Sequence, residues 1–274
     1  MNSPILLFDT SYCCFYRYHA LCNWFKLAHP DSEFDCNNVK ENTVFMEKFY
    51  KKFLDMVSDY IKKYNPEQII MAMDGCKNWR KEIYTEYKAN RKNSNAKISD
   101  VQIFIYLQDT IITDLCKLYN NLHCIKEDKA EGDDVIAVIK KHIRKNEPDK
   151  KIIIITSDTD LCQLIDENTT ILDLKNKCLN NSVLEKNNIT SDYYLAEKCL
   201  IGDTSDNIPK VFPRCGKKTI QKYLNDPDLL NNQLQISEEY RNQYNLNKLL
   251  IDLENIPDEI KNDILSKYLQ IGDE

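Results

Sequence analysis

Three short apolar runs, each followed closely by an acidic residue, constrain the fold of this chain most. They occupy residues 5–8, 68–73 and 151–155. Asp9 and Asp74 directly follow the first two runs, and Asp158 follows the third after a Thr-Ser pair. Continuous apolar runs of this length are typical of strands buried in a parallel sheet. Such strands need long crossover connections, so helices are expected between them.

Helical periodicity appears where these connections are required. A helix is predicted over residues 43–64, with Phe45, Phe49 and Phe53 on one stripe, and another over residues 101–120. A weak strand at residues 122–126 precedes an acidic helix start, and a further strand is predicted at residues 169–174. The sequence therefore predicts an α/β fold with a mainly parallel sheet flanked by helices.

After residue 185 the strand pattern stops, and helices alternate with polar turns. We predict a sheet-containing region over residues 1–185 and a helical region over residues 186–274. Helices are expected at residues 191–201, 217–224, 238–253 and 258–269. Two other stretches lack clear periodicity: residues 23–42 are predicted to be irregular, and residues 77–97, which mix bases with aromatics, are predicted to face solvent.

Composition narrows the class of protein. The chain has 274 residues, of which 42% are hydrophobic and 29% charged, a profile of soluble globular proteins. No apolar run reaches the length of a membrane span, and the N-terminus lacks a signal-peptide pattern. The eleven cysteines are odd in number and form no Cys-x-x-Cys pair. We therefore expect free thiols in an intracellular, reducing compartment, with no membrane attachment.

Acidic residues are predicted to converge at one edge of the sheet. The carboxyl ends of parallel strands share an edge, and a helix that follows a strand begins there too. The candidates are Asp9, Asp74, Glu131, Asp133, Asp134, Asp158 and Asp160. Each acid alone has an ordinary explanation as a turn residue or helix cap. Together they repel unless cations lie between them, and oxygen ligands without His or Cys select Mg²⁺ or Mn²⁺.

A two-metal site of this kind fits hydrolysis of a phosphodiester. A second motif, Gly-Asp-Thr-Ser-Asp-Asn-Ile-Pro at residues 202–209, adds Asp203 and Asp206, whose spacing directs both carboxylates the same way. Downstream, the stretch Gly216, Lys217, Lys218, Thr219 is similar to a hairpin between helices whose backbone amides hold a DNA phosphate. This stretch is not a P-loop, because the upstream glycine is missing.

In their order along residues 5–224, these motifs resemble the 5' nuclease superfamily of structure-specific 5'-3' exonucleases and flap endonucleases, in its bacterial and bacteriophage branch. Beyond the acids, the resemblance rests on Trp-Arg at residues 79–80 and Tyr-Lys-Ala-Asn-Arg at residues 87–91. It implies a PIN-like catalytic core over residues 1–185, with an arch segment at residues 77–100. It also implies a helix-two-turn-helix element in a DNA-binding region over residues 186–274.

The resemblance also implies roles for individual residues. A first metal cluster carries over to Asp9, Asp74, Glu131, Asp133, Asp134 and Asp158, and a second to Asp160, Asp203 and Asp206. Lys88 and Arg91 would contact the scissile phosphate as catalytic residues. The implied DNA-binding residues are Arg80, Tyr87, Gly216, Lys217, Lys218 and Thr219.

The implied cofactors are two Mg²⁺ ions, with Mn²⁺ as a substitute, and a monovalent cation at the helix-two-turn-helix. The implied substrate is DNA with a single-strand/duplex junction or a 5' flap, or an RNA–DNA hybrid, during replication or repair. A polymerase partner would be a separate chain, and the protein is expected to be a monomer. One departure from the family pattern is Arg-Cys-Gly at residues 214–216, where Gly-Ile-Gly is usual.

The acidic balance is compatible with a DNA partner. The formal net charge is −6, and since nine acids belong to the predicted site, the rest of the chain is net basic. Three alternatives fit the sequence less well. A Toprim-type domain does not predict Asp203 and Asp206, a haloacid-dehalogenase phosphatase needs an acid where Ser11 stands, and a non-catalytic junction binder is expected to have lost some acids.

Overall fold

A five-stranded, entirely parallel sheet forms the centre of the molecule in the order β3-β2-β1-β4-β5. The computed structural model describes residues 3–29, 38–92 and 98–271. The strands are β1 (Ile5–Asp9), β2 (Gln68–Met73), β3 (Leu122–Lys126), β4 (Ile152–Ile155) and β5 (Thr169–Leu172). The chain moves outward from β1 to β3, and β4 then pairs with the other side of β1. The predicted parallel α/β fold is confirmed.

The central strand β1 is buried on both faces. Leu6 and Phe8 contribute to one hydrophobic cluster, whereas Ile5 and Leu7 contribute to another. Successive side chains of a strand point to opposite faces, so one buried run supplies two cores. This is why the run contains no alternating polar residues.

Eleven α-helices are described in the same parts of the chain, and they cover both faces of the sheet. They are α1 (Thr10–Ala28), α2 (Thr43–Tyr64), α3 (Trp79–Ile83), α4 (Ile98–Tyr106), α5 (Thr113–Leu118), α6 (Gly132–Asn146), α7 (Ser191–Ile201), α8 (Lys217–Asn225), α9 (Pro227–Gln235), α10 (Glu238–Ile251) and α11 (Asp258–Gln270). A π-helical turn over Leu107–Ile112 joins α4 to α5. The predicted bounds of α2 and α7 match the observed bounds.

Two helices differ from the sequence-based expectation. The expectation of irregular structure from residue 23 is wrong as far as Ala28, because α1 continues to that residue. Three of its seven buried residues are cysteines (Cys13, Cys14 and Cys22), which give a weaker periodic signal than leucine or valine. The short helix α9 was missed because none of its residues is fully buried.

The expectation that residues 77–97 face solvent holds for several described residues, among them Lys77, Lys81 and Glu82, but it is wrong for three others. Trp79, Arg80 and Tyr87 are each no more than 3% exposed. The chain folds inward because Gly75 packs directly on the loop before α6, where a β-carbon would lie only 2.2 Å from the carbonyl oxygen of Glu127. Residues 93–97 of the predicted arch lie outside the described residues.

The last helix of the helical region, α11, packs in the same hydrophobic cluster as the sheet. Ile260 and Ile264 of α11 belong to the same hydrophobic cluster as Val135 and Ile139 of α6. Residues 202–216 connect α7 to α8, and their assignment as a helix-two-turn-helix stays a prediction, as does the division at residue 185. No described helix is long and apolar enough to cross a membrane. The ten cysteines within the described residues are free.

Candidate active site

The carboxyl ends of β1, β2 and β4 meet where the chain reverses its direction of winding, which is where ligands bind in open α/β sheets. Asp9, the last residue of β1, is held by the backbone N–H of Tyr12 at 3.0 Å and by the hydroxyl of Thr156 at 2.8 Å. Thr156 follows β4, so the ends of two strands are tied together. Asp9 is thereby fixed in one orientation.

Asp74, after β2, is held in a similar way. It accepts hydrogen bonds from the hydroxyl of Ser11 at 2.6 Å and from the backbone N–H of Gly132 at 2.7 Å. Gly132 is the first residue of α6, so this carboxylate links the end of β2 to a helix start. Ser11 and Thr156 were not predicted as site residues, because a hydroxyl at a helix start or directly after a strand has no distinctive sequence pattern.

The acids at this edge are close enough to disfavour each other's ionisation. Burial, together with the charges of Asp74 and Asp158, outweighs the hydrogen bonds that lower the pKa of Asp9 and raises it to about 7. Burial likewise raises the pKa of Asp133 well above its usual range, with Asp158 and Asp9 adding to the effect. These carboxylates would ionise more readily with a cation between them.

A second group of acids lies beside the first. One carboxylate oxygen from each of Asp160, Asp203 and Asp206 lies within 4.8 Å of the other two. Asp160 belongs to the 3-10 turn after β4, whereas the other two belong to a tight loop closed by Asp203 and Ile208, which exchange backbone hydrogen bonds. Gly202 begins this loop with a φ of 74°, a conformation that favours glycine.

Both groups of acids open onto one cavity of about 360 Å³. Its lining includes Asp133 and Asp158 from the first group and all three acids of the second. Lys88 and Lys198 line it as well. The structure therefore brings predicted acids from three separate stretches of the chain to one cavity.

Lys88 connects the two groups of acids. Its ammonium donates to Glu131 and lies 3.7 Å from Asp206. Its φ is 56°, in the left-handed region that a residue with a side chain seldom adopts, and its backbone N–H donates to the carbonyl of Asp206 at 2.9 Å. Strained backbone of this kind concentrates at functional sites.

Glu131 stays ionised although it is mostly buried. Burial acts to raise its pKa, but the charges of Lys88 and Arg80 outweigh burial and hold the pKa at about 2. Tyr87 supports the same carboxylate by donating its hydroxyl to Glu131 at 2.9 Å, and it also reaches Asp206 at 3.0 Å.

Asp134 differs from the expectation that it is a metal ligand. It is fully buried and accepts hydrogen bonds from both terminal nitrogens of Arg80, at 2.8 and 2.9 Å, and from the indole N–H of Trp79 at 3.0 Å. It also accepts the backbone N–H of Glu131 in a capping box at the start of α6. Its oxygens are occupied by protein donors, so we assign it a positioning role.

Arg80 and Tyr87 likewise differ from the expectation that they bind DNA. Both are 3% exposed, so neither presents a surface to a duplex. Burial acts to lower the pKa of Arg80, but the charge of Asp134 raises it more, and the guanidinium also donates to the carbonyl of Leu250. The mixture of bases and aromatics thus marks a buried network beneath the cavity.

The remaining predicted contacts lie on the surface or outside the described side chains. Gly216, Lys217 and Lys218 are exposed at the start of α8, and Thr219 is half-buried there. Arg91 lies in a 3-10 turn over Ala89–Lys92, and its side chain lies outside the described residues. The roles of these residues stay predictions.

The donor set of the cavity fits a hard divalent cation. Its acidic lining offers carboxylate oxygens with neither histidine nor cysteine among the residues named above. Three of these oxygens are close enough to share one ion, and the raised pKa values of Asp9 and Asp133 indicate acids that an added cation would stabilise as carboxylates.

Comparison with known proteins identifies the family. The family described as "5'-3' exonuclease, N-terminal resolvase-like domain" matches residues 4–194, which is more than half of the chain. The chain belongs to this 5'-3' exonuclease family. Membership makes the protein a 5'-3' nuclease, a hydrolase of phosphodiester bonds, and it confirms the resemblance inferred from the motifs.

Individual relatives of this 5'-3' exonuclease-family protein support the family assignment. A 5'-3' exonuclease of Buchnera aphidicola from Acyrthosiphon pisum is 27% identical over 238 residues, covering 84% of this chain and 74% of the relative. DNA polymerase I of Caldicellulosiruptor bescii is 29% identical, covering 69% of this chain but only 21% of the polymerase. The protein thus corresponds to a small part of the polymerase relative and to most of the free-standing exonuclease.

Solved structures share the fold of this family member. The T5 D15 protein co-crystallised with metal ions aligns with a TM-score of 0.69 at 21% identity, covering 98% of this chain and 99% of that protein. A complex of the T5 D15 flap endonuclease with DNA and metal ions aligns with the same TM-score over 99% of this chain and 100% of that protein.

Proposed function

We propose that the protein is a Mg²⁺-dependent, structure-specific nuclease that cuts the strand carrying a 5' end near a junction of single strand and duplex. The observation that carries the proposal is the convergence of Asp160, Asp203 and Asp206 within 4.8 Å beside a second group of crowded acids. Family membership supports the 5'-3' direction. The shared fold with the T5 D15 flap endonuclease supports a flap substrate.

Two groups of ligands would hold two ions. The first consists of Asp9, Asp74, Glu131, Asp133 and Asp158, and the second of Asp160, Asp203 and Asp206. Bound Mg²⁺, or Mn²⁺ in its place, would activate the attacking water and stabilise the leaving oxygen. The protein's part is to keep the ligands oriented, as Ser11 does for Asp74 and Thr156 does for Asp9.

Lys88 and Arg91 would neutralise the phosphate that is cut. The position of Lys88 supports this role, because its ammonium contacts Glu131 of the first group and lies 3.7 Å from Asp206 of the second. A phosphate held there gains negative charge in the transition state, and a cation already in place needs little reorganisation. Arg91 is proposed from the family motif alone.

The start of α8 would grip the duplex. Lys217 and Lys218 are exposed beside helix N–H groups that suit a phosphate. Arg214 stands where the family pattern has a glycine, and its φ of 58° lies in the left-handed region that favours glycine. We propose that this turn also holds the monovalent cation implied by the family.

The family and its relatives also suit particular substrates and partners. DNA with a 5' flap is the proposed substrate, and an RNA–DNA hybrid is a further one. The polymerase I relatives, in which the matching region forms about a fifth of the chain, support a role for this protein beside a replication polymerase. We also propose that the protein acts as a monomer in a reducing compartment, which its buried free cysteines favour.

The proposal is tested by cleavage of a 5'-labelled flap duplex beside a blunt duplex and a free single strand, in Mg²⁺, in Mn²⁺ and in EDTA. We expect a short 5' product cut near the junction, only when a divalent ion is present. Product length separates flap cutting from stepwise exonuclease action. Binding without cleavage in both metals would instead favour a non-catalytic junction binder.

Asp158→Asn gives a sharper test of the metal assignment. We expect single-turnover cleavage to fall at least 100-fold while flap binding changes less than threefold, because one ligand is lost from the first group. Asp149→Asn is the matched control, since Asp149 is an exposed acid at the opposite end of β4. Retained cleavage by Asp158→Asn would show that the metal is placed wrongly.

A further inference from the structure

Lys198 occupies the second group of acids. Its ammonium donates to Asp160 and lies 2.9 Å from Asp203. These are two of the three carboxylates whose oxygens converge within 4.8 Å. The charged end of Lys198 therefore stands at the position that a bound cation would take.

The helix α7 fixes Lys198 in this place. Lys198 lies in the last turn of α7, and its carbonyl accepts the backbone N–H of Gly202 at 2.8 Å. Gly202 then turns the chain so that Asp203 begins the loop beside the same helix end. The side chain of Lys198 is only 16% exposed, so its ammonium is enclosed by the acids rather than dissolved in solvent.

The charges of this group require a cation. Asp203 accepts hydrogen bonds from the hydroxyl and the backbone N–H of Ser205 at 2.6 and 2.7 Å, and the Lys198 ammonium lies 2.9 Å from its other oxygen. Three carboxylates in close contact would otherwise repel each other. An ammonium supplies one positive charge, whereas a divalent ion supplies two and needs the same oxygens.

We propose that Lys198 is a tethered cation that stabilises Asp160 and Asp203 until a divalent ion displaces it. This inference rests on the proposed function, because it concerns how the second metal ion of that site is admitted. Since one carboxylate oxygen cannot bind both partners at full strength, Lys198 lowers the affinity of the second ion. Both carboxylates that pair with Lys198, Asp160 and Asp203, belong to the second group, so the effect is expected on the second ion.

With this arrangement the second ion would bind more weakly than the first. In the first group Lys88 bonds to one acid, Glu131, whereas Lys198 bonds to two of the three acids of the second group, so the second ion must release Lys198 before it binds. Once released, the ammonium lies within the same cavity, where a substrate phosphate would offer it a new partner. Complete assembly of the site would then be favoured when substrate is present.

Mn²⁺ titration of the DNA-free, full-length protein tests the inference. Isothermal calorimetry and the electron-spin signal of unbound Mn²⁺ give stoichiometry and affinity without any cleavage. In Lys198→Met we expect the second Mn²⁺ to bind about tenfold more tightly, with the first unchanged. In Lys198→Arg, which keeps the cation, we expect the second affinity to stay at or below the wild-type value.

Lys140→Met is the matched control. Lys140 pairs with Asp166 at 2.6 Å, and the two side chains are 13% and 28% exposed, close to the 16% and 26% of Lys198 and Asp160. This pair does not line the cavity. The control should lose a comparable ion pair without any change in Mn²⁺ affinity.

The outcomes distinguish the two proposals. If Lys198→Met binds its second Mn²⁺ no more tightly than the wild type, the inference is wrong while the proposed function stands. If the wild type binds no Mn²⁺, the proposed function fails. Should Lys198→Met not fold, Lys198→Gln provides the same test, and Lys198→Arg must still bind the second ion no more tightly than the wild type.

Discussion

At the scale of single residues, neighbouring acids of one motif have opposite roles. Asp134 makes its hydrogen bonds to Arg80, Trp79 and Glu131, so its charge is compensated within the protein. Asp9 has two hydrogen-bond donors but also faces other carboxylates, and its pKa is about 7 because burial opposes its charge. The first acid stabilises the fold, whereas the second costs stability until a cation is bound.

This contrast predicts opposite effects of two substitutions in EDTA at pH 8. Asp134→Asn should lower the free energy of unfolding by about 3–5 kcal/mol, because it leaves the buried Arg80 charge without its partner. Asp9→Asn should raise it, because the variant removes a charge that burial disfavours. Urea unfolding measures both, and a stabilising Asp134→Asn would contradict the assigned positioning role.

The effect of Asp9 should also depend on pH. Its pKa is raised from 3.8 to about 7 on folding, so the folded state holds a proton that the unfolded state releases. The stability that Asp9 provides is complete below about pH 4 and is lost as the pH rises to about 7. The advantage of Asp9→Asn in EDTA should therefore be absent near pH 4 and reach its maximum above pH 7.

At the scale of elements, the segment after α3 is joined to the loop after α7. Besides Tyr87 and Lys88, the side chain of Asn90 donates to the carbonyl of Thr204 at 2.7 Å, and that of Asn207 donates to the carbonyl of Glu86 at 2.8 Å. This joint connects the base of the predicted arch to the second group of acids. A disturbance in one segment should therefore reach the other.

Tyr87→Phe tests the joint. Loss of the hydroxyl leaves Glu131 and Asp206 without a shared donor, so we expect single-turnover cleavage to fall roughly tenfold through misplaced carboxylates. Stability should fall by about 2 kcal/mol. Tyr50→Phe is the control, because Tyr50 donates to Asp114 at 3.0 Å and neither residue lines the cavity. The cleavage rate of this variant should be unchanged.

At the scale of the whole molecule, the last helix belongs to the core of the sheet-containing region. Ile264 of α11 has no exposed surface and shares a cluster with residues of β1, β4 and α6. Gln163 strengthens this connection, because its side chain donates to the carbonyl of Ile251 and accepts the backbone N–H of Leu253. The two predicted regions therefore share contacts well beyond residue 185.

We predict that both regions unfold together. Ile264→Ala should lower the free energy of unfolding by about 2–5 kcal/mol within a single transition, because it leaves a cavity under the sheet. Leu269→Ala, at a position 52% exposed on the same helix, should change it by less than about 0.5 kcal/mol. Two separate transitions in calorimetry would show instead that the helical region folds by itself.

Prediction from sequence succeeded where the signal is local. The strands that end in acids were located because a buried parallel strand is apolar on both faces, as the residues of β1 illustrate. It failed for α1, whose buried cysteines give a faint stripe. It also failed for Arg80 and Tyr87, whose polar groups can be buried because residues distant in sequence accept their hydrogen bonds. Charge and aromatic content do not distinguish a DNA-facing surface from such a network.

The sequence by itself determined the parallel sheet and the edge at which the acids gather, because both follow from strand periodicity and chain direction. Tertiary structure alone decided what each acid contacts: Asp134 meets Arg80 across 54 positions, and Asp206 meets Tyr87 across 119. Lys198 gave no signal in the sequence, since a lysine in the last turn of a helix is ordinary. Such partners are chosen by how elements dock, and docking depends on long-range packing that no local pattern contains.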